Sequence, residues 1–163
     1  MRKKFAKNLP GFTMIELLIV MALMAALATL FVTTYPNVLQ KGRDTERQSD
    51  LKQYQTALEL FGNKNNGTYP IETVPVDISA ATGMCATLGM ANCPADPKNG
   101  DTTACSSSEC RYWYISNANG TSYSVWATLE KPQDASKPLI VNCSNGKTGF
   151  TATSPTSVST CPI

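Results

Sequence analysis

Histidine is absent from all 163 residues. Without it the commonest general base and every histidine-dependent triad are excluded. No G-x-S-x-G elbow, phosphate-binding glycine loop or dinucleotide fingerprint replaces them, so serines and acids in loops read as turn residues. The chain is expected to be no enzyme and to carry no cofactor. A C-x2-C pair is also lacking, so a zinc site would need an all-thiolate or carboxylate set without the usual spacing, and no metal site is expected. Basic clusters interleaved with aromatics are missing too, which leaves direct nucleic acid binding without its footprint.

The net charge is informative only once the N-terminus is set apart. The chain has 14 Lys+Arg against 12 Asp+Glu, a formal +2. Arg2, Lys3, Lys4 and Lys7 precede Gly11, and without them 10 basic residues face 12 acidic ones, so the sign turns to −2. The next stretch is apolar: from Leu17 to Val32 only Thr29 is polar. Residues 12–35, about 24 in all, span roughly 36 Å as a helix, enough to cross a bilayer. The Lys/Arg flank predicts that the N-terminus stays cytoplasmic while the rest is exported. Glu16 heads this run. A carboxylate buried in hydrocarbon costs at least ~2.5 kcal/mol, so such a group normally has a partner or a task.

Two processing sites compete. Ala26-Leu27-Ala28 offers the small-residue cut of an ordinary secretory signal. Such a signal has an apolar core of about 7–15 residues, however, and no use for Glu16. A cut after Gly11 instead leaves Phe12 as the new N-terminus.

The junction Gly11-Phe12-Thr13-Met14-Ile15-Glu16-Leu17-Leu18, behind a Lys-rich leader, resembles the class III leader junction of type IV pilins and of the pseudopilins of type II secretion. The resemblance implies cleavage after Gly11 by a prepilin peptidase and N-methylation of Phe12. It also implies that Glu16 neutralises the new N-terminal ammonium of a neighbouring subunit. Opposite charges in a low-dielectric bundle attract strongly, and each relieves the other's desolvation. The partners implied are other copies in a homo-oligomeric helical filament, an inner-membrane assembly platform with its ATPase, and inner-membrane lipid before assembly. The location implied is single-pass in the inner membrane, then the periplasm or the cell surface. Where many members carry a glycine this chain has Ala25, and its proline, Pro36, falls about three residues later than theirs.

After Pro36 the pattern becomes amphipathic, with Leu51, Tyr54, Leu58 and Phe61 at spacings of three and four and Ala57 on the same stripe. Arg43, Asp44, Glu46, Arg47, Asp50 and Lys52 are read as a solvated face or a subunit contact, with Asp44 and Arg47 spaced for a weak helical pair. Gly62 is expected to stop the helix. Thr45-Glu46-Arg47, Ala57-Leu58-Glu59-Leu60-Phe61 and Gly67-Thr68-Tyr69-Pro70 again resemble this family, in which an amphipathic helix runs into a G-x-Y-P corner.

Ile71 to Cys110 reads as a long connecting loop, with a short helix near Ser79 to Leu88. Strands are expected at Arg111–Ser116, Ser122–Leu129, Leu139–Asn142 and Thr148–Thr151, with turns at Asn119-Gly120 and Asn145-Gly146. The fold class is therefore α+β, pilin-like: a long N-terminal helix packed on a small antiparallel β-sheet. Its expected parts are 1–11 leader, 12–35 membrane or filament-core half-helix, 36–62 amphipathic half-helix, 63–110 stapled loop, and 111–163 sheet with a C-terminal disulfide loop.

Six cysteines in an exported domain imply an oxidising compartment and up to three disulfides. Many connectivities are open; the sequentially nearest pairs Cys85 with Cys93, Cys105 with Cys110, and Cys143 with Cys161. Closure of such loops contributes on the order of 2–4 kcal/mol each. A cysteine-closed C-terminus resembles type IV pilins, whereas Asp96-Pro97 followed by Gly100 and Tyr112 weakly resembles the D-P-x-x-G-x-x-Y stretch of major pseudopilins. Asp96, Asp101, Glu130 and Asp134 read as scattered surface acids, with calcium ligation as the alternative. The function implied is a structural subunit of a type IV pilus-like filament for adhesion, motility or DNA uptake. The alternatives are a major pseudopilin of a type II secretion system and a membrane-anchored, disulfide-rich binding domain that never assembles.

Overall fold

The computed structural model describes residues 11–101, 105, 110–158, 161 and 163; residues 1–10 of the leader expected at 1–11 lie outside them. Two compact units divide the chain, Met1–Val38 and Leu39–Ile163. Helix α1, Met14–Lys64, contributes to both, with Pro36 inside it. Thr13 caps its start. The Glu16 backbone N–H donates to Thr13 Oγ1 at 3.3 Å, and the Thr13 N–H donates back to Glu16 Oε2 at 3.4 Å. This reciprocal capping box satisfies two N–H groups that the first turn would leave orphaned.

Helix α1 ends two residues beyond the Gly62 expected from sequence. The left-handed residues that stop it are Asn66 (φ 54°) and Gly67 (φ 80°), and the Gly67 N–H closes the last turn on the Gly62 carbonyl at 2.8 Å. Gly62 serves packing instead: a Cβ there would lie 2.8 Å from the Tyr69 ring.

The second unit holds a five-stranded antiparallel sheet in sequential order: β1 Val76–Asp77, β2 Trp113–Ser116, β3 Tyr123–Thr128, β4 Leu139–Cys143 and β5 Thr148–Thr151. Four of these occupy the expected segments. β1 lies where the sequence reads as loop; two residues are too short to show an alternating pattern, and their pairing with β2 is set by Val76 opposite Tyr114. The helix expected near Ser79–Leu88 shrinks to one turn, α2, Met84–Thr87.

β3 is buried on both faces. Tyr123, Val125 and Ala127 meet Leu51, Tyr54 and Leu58 of α1, joined by Tyr112, Tyr114 and Ile140. On the opposite face Ile115, Trp126, Leu139 and Val141 pack with Val158 and the Cys143–Cys161 region. Tyrosine supplies bulk at this interface, and each buried hydroxyl finds an acceptor, as burial requires. Tyr112 donates to Asp50 at 2.7 Å, Tyr123 to Glu59 at 2.7 Å and Tyr114 to the Pro70 carbonyl at 2.6 Å.

The G-x-Y-P corner docks on the β2–β3 turn. Tyr69 crosses Tyr123 edge to face with centroids 4.6 Å apart, and its backbone N–H donates to the Gly120 carbonyl at 2.7 Å. Gly120 has φ 64°, and a Cβ on it would lie 2.6 Å from the Tyr69 carbonyl oxygen. Gly120→Ala is expected to cost about 1–2 kcal/mol from the left-handed backbone alone, and more from the collision. A thermal midpoint equal to that of the wild type would refute this account of the corner.

Candidate functional site

Two places gather unusual chemistry, one in each unit. In the first, Gly11 and Phe12 are exposed, and Phe12 is 78% accessible. Behind them the large apolar side chains of α1 whose burial is described, through Val38, range from 48% exposed at Val20 to 88% at Met14. Leu, Met and Ala are strong helix formers, so the segment is helical without help from packing. Covering each such side chain is worth about 1.5–3 kcal/mol, which makes this an incomplete surface in water. Among the described residues no single helix is long and apolar enough to cross a membrane; Met14–Thr29 and Thr34–Lys64 pass only together, by length and composition.

Glu16 is exposed and lies over the first turn, where Thr13 also donates its hydroxyl at 3.3 Å. A carboxylate here is favoured by the positive end of the helix dipole. It is the only charged group between Gly11 and Gln40.

The second place corrects part of the sequence reading of the charged stretch, in which Glu46 and Lys52 are exposed as expected. Arg47 is fully buried, and Asp44 and Asp50 are buried beside it; they form neither a solvated face nor a free contact surface. The Arg47 guanidinium grips Asp96 with two bonds, Nε to Oδ2 at 2.7 Å and Nη2 to Oδ1 at 2.8 Å. It also reaches Asp44 at 2.7 Å and Glu130 at 2.9 Å. Asp44 accepts in addition from the backbone N–H groups of Glu130 and Lys131 at 2.9 and 2.8 Å. Arg43 completes the cluster by a two-point pairing with Glu130. Burial alone would lower the Arg47 pKa, but its bonds to Asp96, Asp44 and Glu130 outweigh that and hold it above the ordinary arginine value. Glu130 is held below the usual carboxylate range, first by the Arg43 hydrogen bond. Burial pushes Asp50 up, against the lowering effect of the Tyr112 hydrogen bond.

This cluster ties α1 to the connecting loop through Asp96 and to the β3–β4 loop through Glu130. Asp96 and Glu130 are therefore not scattered surface acids, and their oxygens already face arginine. Asp134, by contrast, is exposed and accepts from the Ser136 N–H and hydroxyl. Among the described residues no group of three metal-ligand side chains could hold an ion. One signal of the buried arginine is readable in the sequence: Arg47, Leu51, Tyr54 and Leu58 share one spacing of four, three and four, so the buried stripe continues into the charges.

Disulfides join Cys85 to Cys93, Cys105 to Cys110, and Cys143 to Cys161, the sequentially nearest pairing. The first closes the loop directly before Pro94, whose carbonyl accepts the Tyr54 hydroxyl, and Asp96. The chain matches no family model, no curated protein and no solved structure.

Proposed function

We propose that this chain is a structural, pilin-type subunit, cleaved after Gly11, N-methylated at Phe12 and polymerised through its apolar helix into a filament. The carrying observation is the exposed apolar surface of the first unit, fronted by the lone carboxylate of Glu16. Lipid covers that surface while the subunit waits in the inner membrane, and neighbouring copies cover it after assembly. Repeating one contact between unlike patches gives an open helical polymer unless the rotation closes. The oxidised α+β body then lies outside the membrane. A prepilin peptidase, an assembly platform and its ATPase are the partners this reading requires, and no catalytic role is assigned to the chain.

The test is the mass of the mature N-terminus in cells that make the protein. A methylated Phe12 is expected. A terminus after Ala28, or an uncut leader, overturns the reading and favours the non-assembling domain.

A further inference from the structure

A groove of ≈ 260 Å³ in the second unit runs between α1 and the β3–β4 loop, with Lys41 on one side and Lys131 on the other. Leu129 and Phe150 supply apolar lining, and Phe150 is 37% exposed. Among the described residues Asp44 is the only carboxylate that lines it, and its oxygens are taken by Arg47 and two backbone N–H groups. Both lysines are exposed, and among the described residues neither makes an ion pair. The acids Asp44, Asp96 and Glu130 of the adjoining cluster are paired with Arg43 and Arg47, so they do not draw on the two lysines at the groove's rim. Lys41 is also the first charged residue after Glu16, directly beyond the apolar run.

We infer that this groove binds the phosphate of an anionic phospholipid headgroup, with Lys41 and Lys131 flanking the phosphate and Phe150 against the glycerol and upper acyl carbons. A phosphodiester supplies the negative charge that two lysines without an ion-pair partner attract. Ammonium groups close to an anionic lipid surface contribute attraction that falls off within a Debye length. The inference rests on the proposal that the apolar helix sits in a bilayer before assembly. It assigns the second unit a contact with lipid headgroups, which the subunit must give up on entering a filament.

The test reconstitutes the full chain in phosphatidylcholine nanodiscs containing phosphatidylglycerol with a photoreactive headgroup, and maps the adducts by tandem mass spectrometry. Adducts are expected on residues 41–48, on 129–133 or at Phe150, independently of any on the basic leader. In the Lys41→Gln/Lys131→Gln variant they should fall about fivefold per lysine, roughly thirtyfold together. Adducts confined to residues 1–38 would overturn the headgroup seat while leaving the membrane reading standing. Loss of the groove adducts on adding inorganic phosphate would mark the site as one for soluble anions, and crosslinks between copies at Lys41 or Lys131 would mark a protein contact; either refutes the lipid. Failure of the chain to enter nanodiscs would remove both readings together.

Discussion

Arg47→Ala is expected to destabilise the second unit by about 3–5 kcal/mol, the usual cost of removing one partner from a buried ion pair. That is a large part of the roughly 5–15 kcal/mol that holds a small domain together. The loss exceeds the worth of the bonds themselves, because Asp96, whose two oxygens face Arg47 alone among the charged groups, is left buried without a counter-charge. Asp96 keeps a backbone N–H donor from Lys98, whereas Asp44 retains two and Glu130 retains Arg43. Arg47→Met/Asp96→Leu is therefore expected to recover at least half of the loss, and a denaturation cycle over both sites measures the coupling. Additive effects of the two single changes would refute the pairing.

The same cluster sets a pH dependence. Glu130 has a folded pKa below its unfolded value, so the unfolded chain takes up this proton first. Its contribution is present above the ordinary glutamate value and is lost as the pH falls through the lowered one. Asp50 runs the other way. Its raised value means that its burial weakens the fold as the pH rises through it. The Glu130 contribution is expected to shrink in Arg43→Gln when stability is followed between pH 6 and pH 3, whereas that of Asp50 should remain.

How much of this was legible in the sequence depends on the range of each interaction. The stripe Leu51, Tyr54, Leu58 and the strands around Val125 and Val141 follow from periodicity, because burial on one face imposes it. Asn119-Gly120 and Asn145-Gly146 mark turns for a local reason, the left-handed backbone at the glycine. β1 was not legible, since Val76 and Asp77 become a strand only by lying beside Tyr114 and Trp113. Nor was the partner set of Arg47. Asp96 is 49 positions away, and nothing local distinguishes an acid that meets arginine from one that meets water. At the N-terminus the situation reverses: Gly11, Phe12 and Glu16 stand out in sequence, while their geometry in one chain shows only a capped first turn.

That capped turn supplies a second account of Glu16, and the two accounts predict different mutants. A capping box works with Glu or Gln at this position, because either side chain oxygen accepts the Thr13 N–H. Neutralising a neighbour's ammonium requires the charge. At about 4 Å and an effective dielectric near 20 such a pair is worth about 4 kcal/mol, part of which desolvation offsets. Glu16→Gln and Glu16→Ala are both expected to insert and to be cut after Gly11, yet to lower filament yield at least tenfold, on the order of 1.4 kcal/mol in assembly free energy. Filaments sheared from cells and quantified against membrane-retained subunit give the comparison. If Glu16→Gln assembles normally and Glu16→Ala does not, the carboxylate acts only on its own helix. If both assemble normally, Glu16 has no part in the filament.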